Sequence, residues 1–554
     1  MAQDFDPFAT HRIGNQAPPL QDYDLFAGDA ALAEAVSREG AGWATAELSE
    51  FGRAMGRAEV IEWGALANRN PPILHAYDRY GAALDTVEFH PAWHEMMRLG
   101  VGAGIHSSPW AEPKPGAHVA RAAKVMLLVQ AEAGVQCPIT MTYGVVPALR
   151  HAPAIAAEWL PLLYSRDYDP RFLPASAKTG ALMGMGLTEK QGGSDLRANE
   201  TRATPTGNGG PGEPYRLVGH KWFMSAPMCD AFLVLAQTER GPSCFFVPRF
   251  TPDGKQNPLR LRRLKDKLGN RSNASSEVEF EHAEGWLVGE EGRGIPILIE
   301  MATYTRLDCA LGSAGMMRQA VAQAIHHATH RAAFGKRLVE QPAMTMLLAD
   351  LAIEAEAAMQ LGLRLARAFD HADDPAETAF RRLMTPAAKF FVCKRAIALA
   401  GEAMEVLGGN GYVEESIMPR LYREMPVNSI WEGSGNIMAL DVLRALQRTP
   451  EAIEIIRAEL APARGTDPRF DGFTGELDRL LASRPDDTQA RRLTEMLALA
   501  VEGALLLRFA PEAVGDAFCA SRLAGWSGAF GTLPRGVDAA AIVERATPKL
   551  GENT

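Results

Sequence analysis

The feature that most constrains this chain is a change of texture around the stretch MGMGLTEKQGGSDL, Met183 to Leu196. Before it, from about Asp29 to about Tyr164, apolar residues recur at helical spacing. The clearest run is Val119, Ala122, Ala123, Met126, Leu127 and Ala131, which predicts an amphipathic helix. After it, YRLVGHKWFMS, DAFLVLAQT, SCFFVPRF and SSEVEFEH are short, rich in Val, Phe and Leu, and separated by Gly/Pro clusters such as TPTGNGGPGEPY. Such segments read as strands. Helical spacing returns at Leu307, Leu311, Ala314, Val321 and Ile325 and continues through MTMLLADLAIEAEAAMQLGLRLARAF, a length that suits a bundle.

Helical, β and again helical blocks in one chain predict an α+β molecule. A chain of 554 residues exceeds one ordinary core. We expect an all-α N-terminal domain over 1–180, a small β domain over 181–290 and a helical bundle over 291–446. The Pro-, Gly- and charge-rich LAPARGTDPRFDGFTGE then leads into an extra C-terminal helical domain over 447–554.

A net charge of -10 argues against a chain that coats nucleic acid or anionic membrane along its whole length. The six cysteines, at 137, 229, 244, 309, 393 and 519, form no CxxC pair and read as small buried hydrophobes in a reducing compartment. The N-terminal MAQDFDPFATHRI lacks a basic and then apolar leader pattern, and no apolar run reaches about 18 residues. The expectation is a cytoplasmic protein with no membrane partner.

Gly184, Gly186, Gly192 and Gly193 suggest backbone that approaches a ligand or adopts positive φ, in a loop shaped by something other than core packing. The segment is not a Rossmann fingerprint, because Glu189 stands where a third glycine is required, and no P-loop Gly-Lys-Ser/Thr follows. His90 with His94 and His326 with His330 share the i,i+4 spacing that puts two rings on one helix face, but neither pair carries an HExxH glutamate or a third ligand, so no metal is expected. A second unusual stretch, IWEGSGNIMALDVL, sets one carboxylate, Glu432, between Trp431 and Gly433, ahead of Ser434, Gly435 and Asn436. It reads either as a reactive carboxylate or as a helix N-terminus, where Ser or Asn caps free N–H groups and Glu suits the dipole.

Taken together and in this order, these stretches resemble the acyl-CoA dehydrogenase family, an FAD-dependent group. Its TEPxAGSD motif reads here Thr188 to Asp195, and its WITN or WISN motif reads Trp222-Phe223-Met224-Ser225. RxxFG with a following Gln reads Arg331, Phe334, Gly335 and Gln341. GGxGY reads Gly408 to Tyr412, and YEGT reads Trp431-Glu432-Gly433-Ser434. The departures TEKQGGSD and WEGSGN, the extended N-terminal region with EFHPAWHEMM and CPITMTYGVVPALR, and the C-terminal extension resemble the AidB alkylation-response branch.

The resemblance implies FAD held by Met185, Leu187, Thr188, Gly193, Ser194, Trp222, Phe223, Ser225, Trp431, Gly433, Ser434 and Asn436, with hydroxyls of Thr188 and Ser194 on flavin and its phosphates. It also implies that Arg331, Phe334 and Gln341 reach the FAD of an adjacent subunit in a homotetramer. Glu432 would be the catalytic base that removes the α-proton of a short or branched acyl-CoA while hydride passes to flavin N5. MATYTRLD offers Thr305 before Arg306 and no rival glutamate. The branch implies a different task, double-stranded DNA binding in the alkylation-damage response with weak or no dehydrogenase activity. Residues 451–554 hold 12 Lys+Arg and 16 Asp+Glu, a balance of 12 - 16 = -4 and a poor footprint for DNA. A local patch of Arg444, Arg448, Arg457, Arg464 and Arg469 is the remaining candidate, and a solvated helix face explains it equally well.

Overall fold

The computed structural model describes residues 10, 11, 13–525 and 528–550; most of the N-terminal segment read above for a leader, residues 1–9 and 12, lies outside them. The fold is α+β, with a helical N-terminal part, a middle β domain, a helical bundle and further C-terminal helices. No helix among the described residues is long and apolar enough to cross a membrane.

The N-terminal part departs from the all-α expectation at one place. Strands β1 (Ile73–Tyr77) and β2 (Ala83–Glu88) form an antiparallel hairpin. Asp78 closes its turn by accepting the N–H groups of Tyr80 and Ala82 at 2.8 Å each. The hairpin is fixed to the β domain by buried Asp85, which accepts the Leu261 N–H at 2.8 Å. Its strands are short and partly exposed on both faces, so their period is faint in the sequence.

Helix α1 (Ala117–Ala131) is buried on every face rather than amphipathic, and α2 (Gln136–Leu149) likewise. The polar residues in α1 survive burial because they are paired. Arg121, for example, makes two 2.5 Å bonds to Asp308. The expected pairing of His90 and His94 on one helix face fails. His90 precedes the helix Pro91–Gly102 and caps it, its Nδ1 accepting the Ala92 N–H at 3.2 Å.

In the β domain, β3 (Met183–Gly186) lies parallel to β6 (Ala231–Thr238). Strands β4 (Arg202–Pro205), β5 (Pro214–Ser225), β7 (Gly241–Pro248) and β9 (Ser275–Val288) pair in a ring, β6–β7–β9–β5–β4, that returns to β6 through Arg202 and Gln237. β8 (Leu259–Leu264) pairs along β9. Closing the ring leaves few free edges. It also sets Ser225 and Ser275 opposite each other at one end of the β5–β9 pair.

The bundle is built on α3 (Gly294–His330), α4 (Pro342–Asp370) and α5 (Pro375–Val406), and is completed by α6 (Met418–Ile430) and α7 (Gly435–Arg448). C-terminal helices, including α8 (Pro468–Ala482) and α9 (Ala490–Phe509), join the same apolar core as the bundle. All six cysteines are free and buried, as their scatter predicted.

Candidate active site

A cavity of about 1210 Å³ opens where the end of the β domain meets α3 and the α6–α7 turn. It exceeds the roughly 300–1,000 Å³ of an ordinary small-ligand pocket. Met185, Leu187, Thr188, Gly193, Ser194, Phe223, Ser225, Trp431, Glu432, Gly433 and Ser434 all line it, although they are scattered over 250 positions of sequence. Apolar and aromatic walls with several hydroxyls, those of Thr188, Ser194 and Ser225 among them, suit a flat ring with a polar edge.

The loop after β3 is held from behind by a pair the sequence reading did not single out. Lys221 Nζ meets Glu189 Oε1 at 2.6 Å and donates to the Leu235 carbonyl at 2.7 Å, all fully buried. Glu189 also accepts the N–H groups of Glu200 at 2.7 Å and Thr201 at 3.2 Å. Burial pushes the Glu189 carboxyl up, but the Lys221 charge and these donors outweigh it and leave it below the usual range.

The structure gives Gly184 and Gly186 of this segment a packing reason, and the positive φ expected there is not found. None of the four has positive φ. Gly184 and Gly186 are strand residues: a Cβ on Gly184 would meet the Phe232 ring at 2.7 Å, and one on Gly186 the Lys221 and Met224 side chains at 3.2 and 3.3 Å. Core packing excludes larger side chains there. At Gly193 a Cβ would meet Thr188 Oγ1 at 2.8 Å, so this glycine lets the loop fold back over the hydroxyl that lines the cavity.

Glu432 sits in the turn between α6 and α7. The helix-capping reading does not describe it: the N-cap position of α7 is Ser434, whose side chain makes no capping bond, and the Glu432 carboxylate points across to α3. There Thr305 Oγ1 donates to Glu432 Oε2 at 2.5 Å. The turn is strained, with φ of 60° at Glu432 and 108° at Gly433. Its two carbonyls are caught by cations: Arg306 Nε donates to Glu432 O at 2.9 Å, and Lys389 Nζ to Gly433 O at 2.5 Å. Arg306 and Arg382 share Asp441. Enclosure in protein pushes the Glu432 carboxyl above its ordinary value, against the pull of Thr305, Arg306 and Lys389.

The remaining expected site residues stand elsewhere. Trp222 is half-buried outside the cavity, with Lys265 Nζ 3.4 Å from its ring centre. Asn436 lies on the first turn of α7 and accepts from Arg491 of α9 at 2.8 Å. Arg331 donates to the Asn15 carbonyl at 2.5 Å, and Gln341 to the Ala333 carbonyl at 3.0 Å. Phe334, at φ 54° on the turn between them, is 98 % exposed. None of these three lines the cavity of its own chain.

Of the expected arginine patch, Arg444 and Arg448 are exposed, line the cavity and make no ion pair among the described residues. Arg457 and Arg464 are both bound to Asp478, and Arg469 to Asp467 and Asp516, so those three are neutralised. No group of three His, Cys, Asp or Glu among the described residues is placed to hold a metal.

A β domain set between a helical block and a helical bundle, with a carboxylate facing a large cavity at their junction, defines the acyl-CoA dehydrogenase class of architecture. Residues 184–283 and 292–447 match the models of the acyl-CoA dehydrogenase middle and C-terminal domains. Residues 15–170 match the model of the adaptive response protein AidB N-terminal domain. The chain is 51% identical to AidB of Escherichia coli over 512 residues, 92% of this chain and 94% of that one. It belongs to the acyl-CoA dehydrogenase family, in the AidB branch. The structure of Caenorhabditis elegans ACDH-11 in complex with C11-CoA superposes with a TM-score of 0.83 at 25% identity, covering 98% of this chain and 94% of that one. A Bacillus anthracis acyl-CoA dehydrogenase complexed with FAD shares the fold, with a TM-score of 0.64 at 18% identity over 77% of this chain and 80% of that one.

Proposed function

We propose that the chain is an AidB-like flavoprotein that holds FAD in the large cavity and binds double-stranded DNA in the response to alkylation damage, with dehydrogenase activity weak or secondary. The near full-length similarity to AidB carries this reading. The guanidinium groups of Arg444 and Arg448, exposed and without an ion pair among the described residues, support it, since phosphate contacts need free cations. Retention on duplex DNA that falls steeply with added salt is the test, and retention unaffected by salt would count against it.

FAD fits the residues present. Gly193 folds the loop so that the Thr188 and Ser194 hydroxyls turn to the cavity, and Met185, Leu187, Phe223 and Trp431 give apolar walls for the isoalloxazine. Arg331, Phe334 and Gln341, free of their own chain's cavity, suit contact with the flavin of a second copy in a homotetramer.

A second reading, α,β-dehydrogenation of a short or branched acyl-CoA, is favoured by one observation: Glu432 faces the cavity with its carboxylate fixed by Thr305. FAD, when bound, supplies a hydride acceptor at N5. Glu432 would take the α-proton of the thioester. Enclosure raises its basicity toward operating pH, and the Thr305 bond holds one oxygen so that the other faces substrate. Flavin bleaching by isovaleryl-CoA without oxygen tests this reading.

A further inference from the structure

Lys389 stands in the apolar run TPAAKFFVCK of α5 and is 1 % exposed. Among the described residues no carboxylate lies within ion-pairing distance of its ammonium. Its one hydrogen bond among the described residues, 2.5 Å long, goes to the Gly433 carbonyl. A buried lysine without an acid partner is costly, because the charge has lost its water and gained no counter-ion. Packing does not require the charge, since a methionine fills the same tube of space.

The place of that charge is informative. The carbonyl it holds belongs to the residue after Glu432, in a turn whose backbone is in the left-handed region at both positions. Left-handed backbone at a non-glycine residue persists only where surrounding bonds impose it. Arg306 imposes it from α3 and Lys389 from α5. Arg306 divides its charge between the Glu432 turn and Asp441, which it shares with Arg382, whereas Lys389 has no carboxylate partner of its own among the described residues. Facing Glu432 are Thr305, Arg306 and the Cys309 thiol from α3, the Cys137 thiol from α2, and Lys389 from α5.

We propose that Lys389 is a positioning residue for Glu432: it pins the Glu432–Gly433 turn through the Gly433 carbonyl, and its ammonium favours the ionised form of the carboxylate. The proposal rests on the reading of Glu432 as the base. Lys389 touches neither substrate nor the reacting atoms and acts through the turn and through its field.

The test uses the full-length flavin-loaded chain and two readouts. One is the infrared signal of the protonated Glu432 carboxyl as pH is varied, taken as the difference from Glu432→Gln, which needs no substrate. The other is the pH profile of flavin bleaching by isovaleryl-CoA. In Lys389→Met the carboxyl midpoint should rise by about one pH unit or more, a tenfold loss of ionised base on the acid side. kcat should fall while KM stays near the parent value, and Lys389→Arg should restore the midpoint. If Lys389→Met does not fold, Lys389→Gln, which keeps a donor for Gly433 without the charge, must show the same rise. An unmoved midpoint in the neutral variant, or an equal rise in Lys389→Arg, overturns the proposal. A midpoint that rises in a protein whose flavin no acyl-CoA bleaches supports Lys389's hold on Glu432 and removes the dehydrogenase reading alone.

Discussion

The Thr305 hydroxyl on α3 donates to the Glu432 carboxylate across 127 positions of sequence, at 2.5 Å. This bond stabilises the ionised form, and burial opposes it. Removing the hydroxyl in Thr305→Val should therefore raise the Glu432 pKa further. A base must be ionised to act, so the acid limb of any bleaching profile should move to higher pH, by about one unit for a hydrogen bond to a charged group. Thr305→Ser should return it. A profile identical in Val and Thr would show that the contact is incidental.

The Lys221–Glu189 pair predicts a coupling of stability to flavin uptake. Breaking a buried pair typically costs about 3–5 kcal/mol. Lys221→Met leaves Glu189 with only the donors of the adjoining loop, which is the loop that carries Thr188, Gly193 and Ser194. Urea unfolding should report the loss, and the purified variant should hold less flavin. Adding Glu189→Gln should recover part of the stability.

A pH dependence of stability should come from Glu424. Burial, with help from nearby Glu132, pushes its carboxyl up to about 7. Asn270 donates to both its oxygens, and through that loop it supports the Lys267–Asn270 wall of the cavity. A folded pKa raised above the unfolded value gives stability that is fully present below the unfolded pKa, near 4.5, and lost as pH rises through about 7. The thermal midpoint should fall between pH 5.5 and pH 8 more in the parent than in Glu424→Gln. Equal slopes would remove Glu424 as the cause.

If duplex DNA is the partner, Arg444→Glu with Arg448→Glu should weaken retention and lower the salt dependence by about one unit of slope per lost phosphate contact. Both side chains also line the cavity, so flavin content measured beside retention separates a lost DNA contact from a disturbed cavity. An Arg457→Glu variant, whose parent guanidinium is already bound to Asp478 and Glu454, should change retention little.

The order of helices and strands was legible because it rests on local period. Long runs such as α3 and α4, and the Val- and Phe-rich strands β6 and β7, leave little choice of state. The β1–β2 hairpin was not legible, since its strands are short and half-exposed and are held by a contact from Asp85 to a strand 176 residues away. Glu432, Thr188 and Ser194 stood out as polar residues in glycine-rich breaks between apolar segments. Their supports did not: Thr305, Lys389 and Lys221 act over 127, 44 and 32 positions, and nothing in local pattern pairs them with the loops they hold. Lys389 within the apolar PAAKFFVC was the one available signal. The glycines of the Met183–Leu196 segment stood out in the sequence, but the packing reason for two of them did not. Gly184 and Gly186 answer to the side chains of neighbouring strands, which only the sheet order reveals.

The most direct test is the visible spectrum of the purified chain, followed without oxygen as isovaleryl-CoA is added, beside Glu432→Gln. The account predicts bound flavin in both proteins, slow or partial bleaching in the parent, and a rate at least about 10²-fold lower in the variant. A colourless protein that takes up no added FAD would contradict it.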